Sequence, residues 1–231
     1  FREMYALSPM GVVAVVISGI ATGALFSMGP VYAQLIGLDS SDIATFMGVS
    51  ILAAVITQVP IGRWSDRTDR RTVLIAICTL ATIVAIAPGM IGPVSKLILF
   101  ALAAIFGGIA LALYSLSVSH INDHLTADQI VSASASVVLL NGLGAIVGPL
   151  LVALMMKMFG PQAYFFSLAG TLSSLMLYAI WRKARRAAVP DALKLPFINA
   201  QPQAVSGQMM AQVAHDAAAA NAAALCEEGV R

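Results

Sequence analysis

Charge is missing from six long stretches of this 231-residue chain, and nothing else in the sequence restricts its fold so severely. The uncharged runs cover residues 4–38, 43–62, 72–95, 97–122, 129–156 and 158–181, and Asp, Glu, Lys and Arg stand only in the gaps. A helix needs about 20 largely apolar residues to cross a hydrocarbon core about 30 Å thick. Every run meets that length. Strands of a membrane barrel would show short alternating patterns, whereas these runs are continuously apolar. The sequence therefore predicts an all-α integral membrane protein with six transmembrane helices, at about 10–33, 42–62, 72–91, 97–119, 129–156 and 161–181.

Composition narrows the function. The chain is 59% hydrophobic and 10% charged, against about 25% charged in soluble domains. A net charge of +2, with no basic run interleaved with aromatics, excludes a nucleic-acid surface. Cys78 and Cys226 form neither a disulfide framework nor a zinc spacing, and Cys78, inside an apolar run, is expected to pack as a small core residue. No nucleophile–base–acid set, phosphate-cradling glycine loop or Walker sequence is present, so neither an enzyme nor a cofactor is expected. His120 and His124 flank Asp123 at helical spacing. They sit at a helix end with no further ligand in view, which favours polar capping over metal binding.

Lysine and arginine orient the segment. Arg2, Arg63, Arg67, Arg70, Arg71, Arg182, Lys183, Arg185, Arg186, Lys194 and Arg231 fall on one side, and only Lys96 and Lys157 on the other. Six spans put both termini on the same side, and the basic side is expected to be cytoplasmic, in a bacterial inner membrane. Residues 1–9 read as the end of a cytoplasmic linker, because the chain opens at Phe1 with no signal-peptide pattern and is expected to be a fragment. Residues 183–231 read as a mostly disordered cytoplasmic tail rich in Ala, Gln and Pro. Asp39 and Ser40 can cap the second helix, and Thr126 to Gln129 has capping-box spacing before the fifth. Gly29-Pro30 lies near the end of the first run and, with Gly37-Leu38-Asp39 after it, sets the helix at about 10–33, and Ala87-Pro88-Gly89 closes the third on the outer side.

Small residues recur at intervals of four: Gly19, Gly23 and Ser27; Ala103, Gly107, Ser115 and Ser119, interrupted by Leu111; Ser132, Ser136, Gly144 and Gly148, interrupted by Leu140. In lipid such ridges let helices approach closely. An echo also links Leu38-Asp39-Ser40-Ser41-Asp42-Ile43 with Leu125-Thr126-Ala127-Asp128-Gln129-Ile130. It pairs the second span with the fifth, as two three-helix repeats of opposite orientation would.

Charge peaks between the second and third spans, in Gly62-Arg63-Trp64-Ser65-Asp66-Arg67-Thr68-Asp69-Arg70-Arg71. The spacing of Gly62, Asp66, Arg67, Arg70 and Arg71 resembles the cytoplasmic loop signature of the major facilitator superfamily, G-x-x-x-D-[RK]-x-G-[RK]-[RK], with Asp69 in place of the second glycine. Gly144, Gly148 and Pro149 are similar to a glycine–proline helix-packing element of the same superfamily. The resemblance implies one half of a twelve-helix fold built from 3+3 inverted repeats, here the C-terminal half, partnered by an N-terminal six-helix half. It implies a secondary transporter that moves a small solute, with H+ and in the efflux direction. The loop would gate the cytoplasmic side, Asp66 meeting the N-terminus of a helix in the other half. It further makes the first, second, fourth and fifth spans cavity-lining, so Ser18, Thr22, Tyr114, Ser115 and Asn141 are candidate solute contacts. For Asn141 an interhelical hydrogen bond is the competing role. No charged residue falls inside any of the six uncharged runs, which assigns any titrating group to the other half. The rival reading is a non-transporting six-helix scaffold or assembly partner.

Overall fold

A computed structural model describes residues 8–91, 95–123, 125 and 127–185. The linker residues 1–7, Thr126 of the expected capping box, His124, and the tail from residue 186 on, with Cys226, lie outside the described residues. Six helices stand in the six uncharged runs: α1 (Pro9–Leu35), α2 (Ser40–Arg67), α3 (Arg70–Ile91), α4 (Lys96–Asn122), α5 (Ala127–Phe159) and α6 (Ala163–Arg185). All six are long and apolar enough to cross a membrane, and no strand occurs among the described residues.

Local chemistry sets the ends. Gly37, at φ +86°, closes α1 while the Leu38 N–H donates to Ala33 O and the Gly37 N–H to Gln34 O; only glycine adopts that backbone at no steric cost. Asp39 caps α2 by accepting from the Asp42 N–H at 2.8 Å. Pro30 and Pro88 lie inside their helices. α1 runs past Pro30 to Leu35 and α3 past Pro88 to Ile91. A proline removes one i→i−4 bond and kinks the helix, but in lipid the neighbouring residues regain more by continuing the helix than by leaving their amides unpaired.

Hydrogen-bonded residue numbers reveal helix direction. Between α2 and α4, Ser50 Oγ donates to Ala103 O (3.1 Å) and Thr57 Oγ1 to Gly108 O (3.0 Å). Lys96 pairs with Asp42 at one end and Arg70 with Asp123 at the other. The separations, 51 to 54 residues, are nearly constant, so the two helices run parallel. Between α3 and α6, Lys183 Nζ donates to Thr72 Oγ1 and Thr79 Oγ1 to Met176 Sδ. There the numbers run in opposite senses, and the pair is antiparallel.

The third extensive pair, α1 with α5, is parallel like α2 with α4. An added Cβ at Gly19 would lie 2.2 Å from Asn141 O, and one at Gly148 2.2 Å from Ile20 O. The backbones therefore touch, which only hydrogen in place of a side chain permits. Exchanging α1 with α4, α2 with α5 and α3 with α6 maps the α1/α5 pair onto α4/α2 and the α3/α6 pair onto itself. Two three-helix repeats related in this way are of opposite orientation, because three crossings reverse the chain. The helices α2 and α5, equivalent under the exchange, bury the least: 22% and 28% of their membrane windows, against 44–56% for the others.

Candidate functional site: a buried ionic clamp at the α2–α3 turn

The turn between α2 and α3 is only two residues, Thr68 and Asp69. Thr68 Oγ1 donates back to Trp64 O at 2.7 Å. Asp69 caps α3: its Oδ1 accepts from the Arg71 N–H at 3.0 Å, and its carbonyl accepts from the amides of Thr72 and Val73. No described residue other than glycine has a positive φ. The turn thus needs no glycine where Asp69 stands, and the carboxylate supplies an N-cap instead.

Capping aims Arg70 inward. Only 2% of Arg70 is exposed, and its guanidinium reaches Asp123, Ser65 and Asp66. Nε donates to Asp123 Oδ2 at 2.7 Å, Nη1 to Ser65 Oγ at 3.1 Å, and Nη2 faces Asp66 Oδ1 at 3.3 Å. Asp123 lies at the C-terminal cap of α4, and its side chain is as buried as that of Arg70. A buried guanidinium requires a carboxylate and satisfied donors to offset its desolvation, and the fork geometry of arginine accommodates several acceptors at once. The result fastens the end of α2, the start of α3 and the end of α4 together.

The motif residues divide between the clamp and the surface. Gly62, Arg70 and Arg71 are buried, whereas Arg67 is exposed. Gly62 ends a stripe of buried α2 residues, Phe46, Ser50, Ala54, Gln58 and Gly62, at intervals of four. Asp66 is shared: it touches Arg70, yet 39% of its side chain is exposed. Sequence reasoning had considered Asp123 only as a companion of His120 and His124, and had not singled out Ser65. The available signal was charge: Asp123 is the sole acid between Lys96 and Asp128, at the end of a span on the side of the arginines. Among the described residues no group of three or more metal-ligating acids, histidines or cysteines occurs.

Deeper in the bundle, Asn141 crosses from α5 to α1. Its Nδ2 donates to Val15 O (3.2 Å) and Ser18 Oγ (3.1 Å). Ser18 Oγ donates to Val15 O, and Thr22 Oγ1 to Ser18 O, both at 2.8 Å. Tyr114 packs with Val15, Val118 and Val137 beside this group, and Ser115 is fully buried. The structure thus brings Ser18, Thr22 and Asn141 into one hydrogen-bonded set, with Tyr114 against its edge. Gly144 and Gly148 face α1 at backbone distance. Pro149 removes the N–H that Ala145 O would accept in a regular helix, and that carbonyl points at Gly23, where a Cβ would lie 2.5 Å away.

The family model described as Major Facilitator Superfamily matches residues 11–222. The chain is 28% identical over 186 residues to an uncharacterized MFS-type transporter, YcaD, of Escherichia fergusonii, with 79% of this chain and 46% of the relative covered. It is 26% identical over 191 residues to an uncharacterized MFS-type transporter of Yersinia enterocolitica, YE1530, covering 81% and 46%. The YcaD protein of Escherichia coli is 26% identical over 183 residues, covering 79% and 46%. The chain spans about half the length of the curated relatives it matches.

Proposed function

Since the chain belongs to the major facilitator superfamily, we propose that it works as the C-terminal six-helix half of a secondary active transporter, exporting a small solute by alternating access in exchange for protons. The observation that carries this reading is the Arg70 clamp. Alternating access requires helix groups that move as rigid pieces around a midplane site. A buried ion pair joining α2, α3 and α4 makes one such piece at one end of the bundle. The half-exposed Asp66 carboxylate on its surface is placed to meet the positive N-terminus of a helix in the other half.

Exposed apolar surface supports the same arrangement. On α2, Leu52, Val55 and Ile56 are 58–65% exposed, and on α5 Ile146 and Leu150 are 64% and 68% exposed. Gly48 on α2 and Gly142 on α5 have open space where a Cβ would stand, which suits close approach by helices of a second half. The arginine bias puts the clamp and both ends of this segment on the cytoplasmic side of a bacterial inner membrane. Ser18, Thr22, Tyr114, Ser115 and Asn141 are assigned to solute contact. In this role the Asn141 amide exchanges its α1 partners for the solute as the bundle opens.

The test uses the complete transporter in proteoliposomes, with a pH gradient and a panel of lipophilic dyes. Asp66→Asn is expected to slow gradient-driven dye movement at least tenfold while thermal stability changes little. Unchanged movement would sink the gating role.

A further inference from the structure

Away from the clamp, α1, α5 and α6 leave a groove of about 730 Å³ between them, within the range of small-molecule sites. Its walls are apolar, with Ile17 from α1, Met155 from α5 and Phe166 from α6. The groove passes Gly170, where an added Cβ would meet nothing within 4 Å. Glycine weakens a helix relative to alanine, and here no protein contact requires it. Its effect is to keep the groove open. Along α6 the groove extends from Ala163 to Ser174, roughly 16 Å at the helical rise. That matches one leaflet, half of a core about 30 Å thick.

Polar atoms are distributed unequally along this length. The hydroxyls of Ser167, Thr171 and Ser174 donate back to carbonyls of α6 itself, so the shaft makes no polar demand on an occupant. At its head, beside the α5–α6 turn, Gln162 Oε1 is buried and accepts no hydrogen bond among the described residues. A buried acceptor left unpaired is costly, so a donor arriving there would be stabilising.

We propose that this groove is a phospholipid site: it holds one acyl chain from the leaflet at the α5–α6 turn, and the lipid head group donates an N–H to Gln162 Oε1. The chain gains little by leaving bulk lipid, which is equally apolar. Preference is therefore set at the head, where a primary ammonium has protons to donate and a quaternary ammonium has none. The inference requires that α1, α5 and α6 span the bilayer and that the second half leave the α6 side of the groove open to lipid, and holds whichever solute is moved.

The experiment places the complete protein in nanodiscs containing phosphatidylethanolamine with a diazirine at the tail end, and maps adducts by mass spectrometry after irradiation. Phosphatidylcholine with the same tail is the comparison. Adducts from phosphatidylethanolamine are expected near Ile17 and Ser174, at several times the phosphatidylcholine yield. Gly170→Phe is expected to cut them several-fold with thermal unfolding unchanged; Gly170→Leu serves if the larger side chain unfolds the bundle. Gln162→Leu should keep tail labelling and erase the preference between head groups. Full labelling in the groove-filling variants, equal yields from both lipids, or no adducts there from either would overturn the proposal.

Discussion

Asp69 and Asp123 show how much one side chain does at this turn. Asp69 stands where the loop signature of the family has glycine, and it caps α3 instead of loosening the chain. Asp69→Ala should then cost about 1 kcal/mol, and Asp69→Gly only a few tenths, read from denaturant-induced unfolding in detergent. Asp123 neutralises a guanidinium that is 2% exposed. Asp123→Asn leaves that buried charge facing only the solvent-screened carboxylate of Asp66, so a loss approaching roughly 3–5 kcal/mol of stability is expected. Replacing both partners by apolar residues, Arg70→Met with Asp123→Leu, should recover most of the loss, because the penalty belongs to the unpaired charge. Asp66, more than a third exposed, is screened by solvent, and Asp66→Asn should cost less than about 1 kcal/mol. Comparing the two aspartates by thermal unfolding separates the clamp from its exposed rim.

At the scale of elements, the α1/α5 contact is governed by the absence of side chains. Gly19→Ala forces a methyl toward Asn141 O, a backbone atom that cannot step aside, whereas Gly142→Ala on the same pair enters open space. The first change should lower the unfolding temperature by several degrees and the second leave it unchanged or higher, which circular dichroism melts would resolve. The spans themselves were legible in the sequence because lipid excludes charge from each helix separately, so every run carries its own signal. The pairing of helices was not, because small-residue ridges occur on α1, α4 and α5 alike, and a ridge does not name its partner. Asp123 escaped for the same reason: the arginine that explains it is 53 residues away.

On the scale of the whole molecule, α2 and α5 present apolar faces that nothing in the described residues covers. If the second half docks there, cysteines at Leu52 or Ile146 of a cysteine-free complete transporter should cross-link to it, and cysteines at the lipid-facing Leu177 of α6 should not; gel mobility after mild oxidation reports the outcome. The pairing order carries a consequence for biosynthesis. None of the three most extensive pairs joins helices adjacent in sequence: α1 packs most extensively on α5, α2 on α4 and α3 on α6. When α1 leaves the ribosome its main partner has not yet been made, and the same holds for α2 and α3. Each early helix must wait in the bilayer without that partner, with the face that later packs on it still uncovered. A charge tolerated on that face in the finished bundle would still be met by hydrocarbon during the wait, so the insertion step keeps the waiting face free of charge.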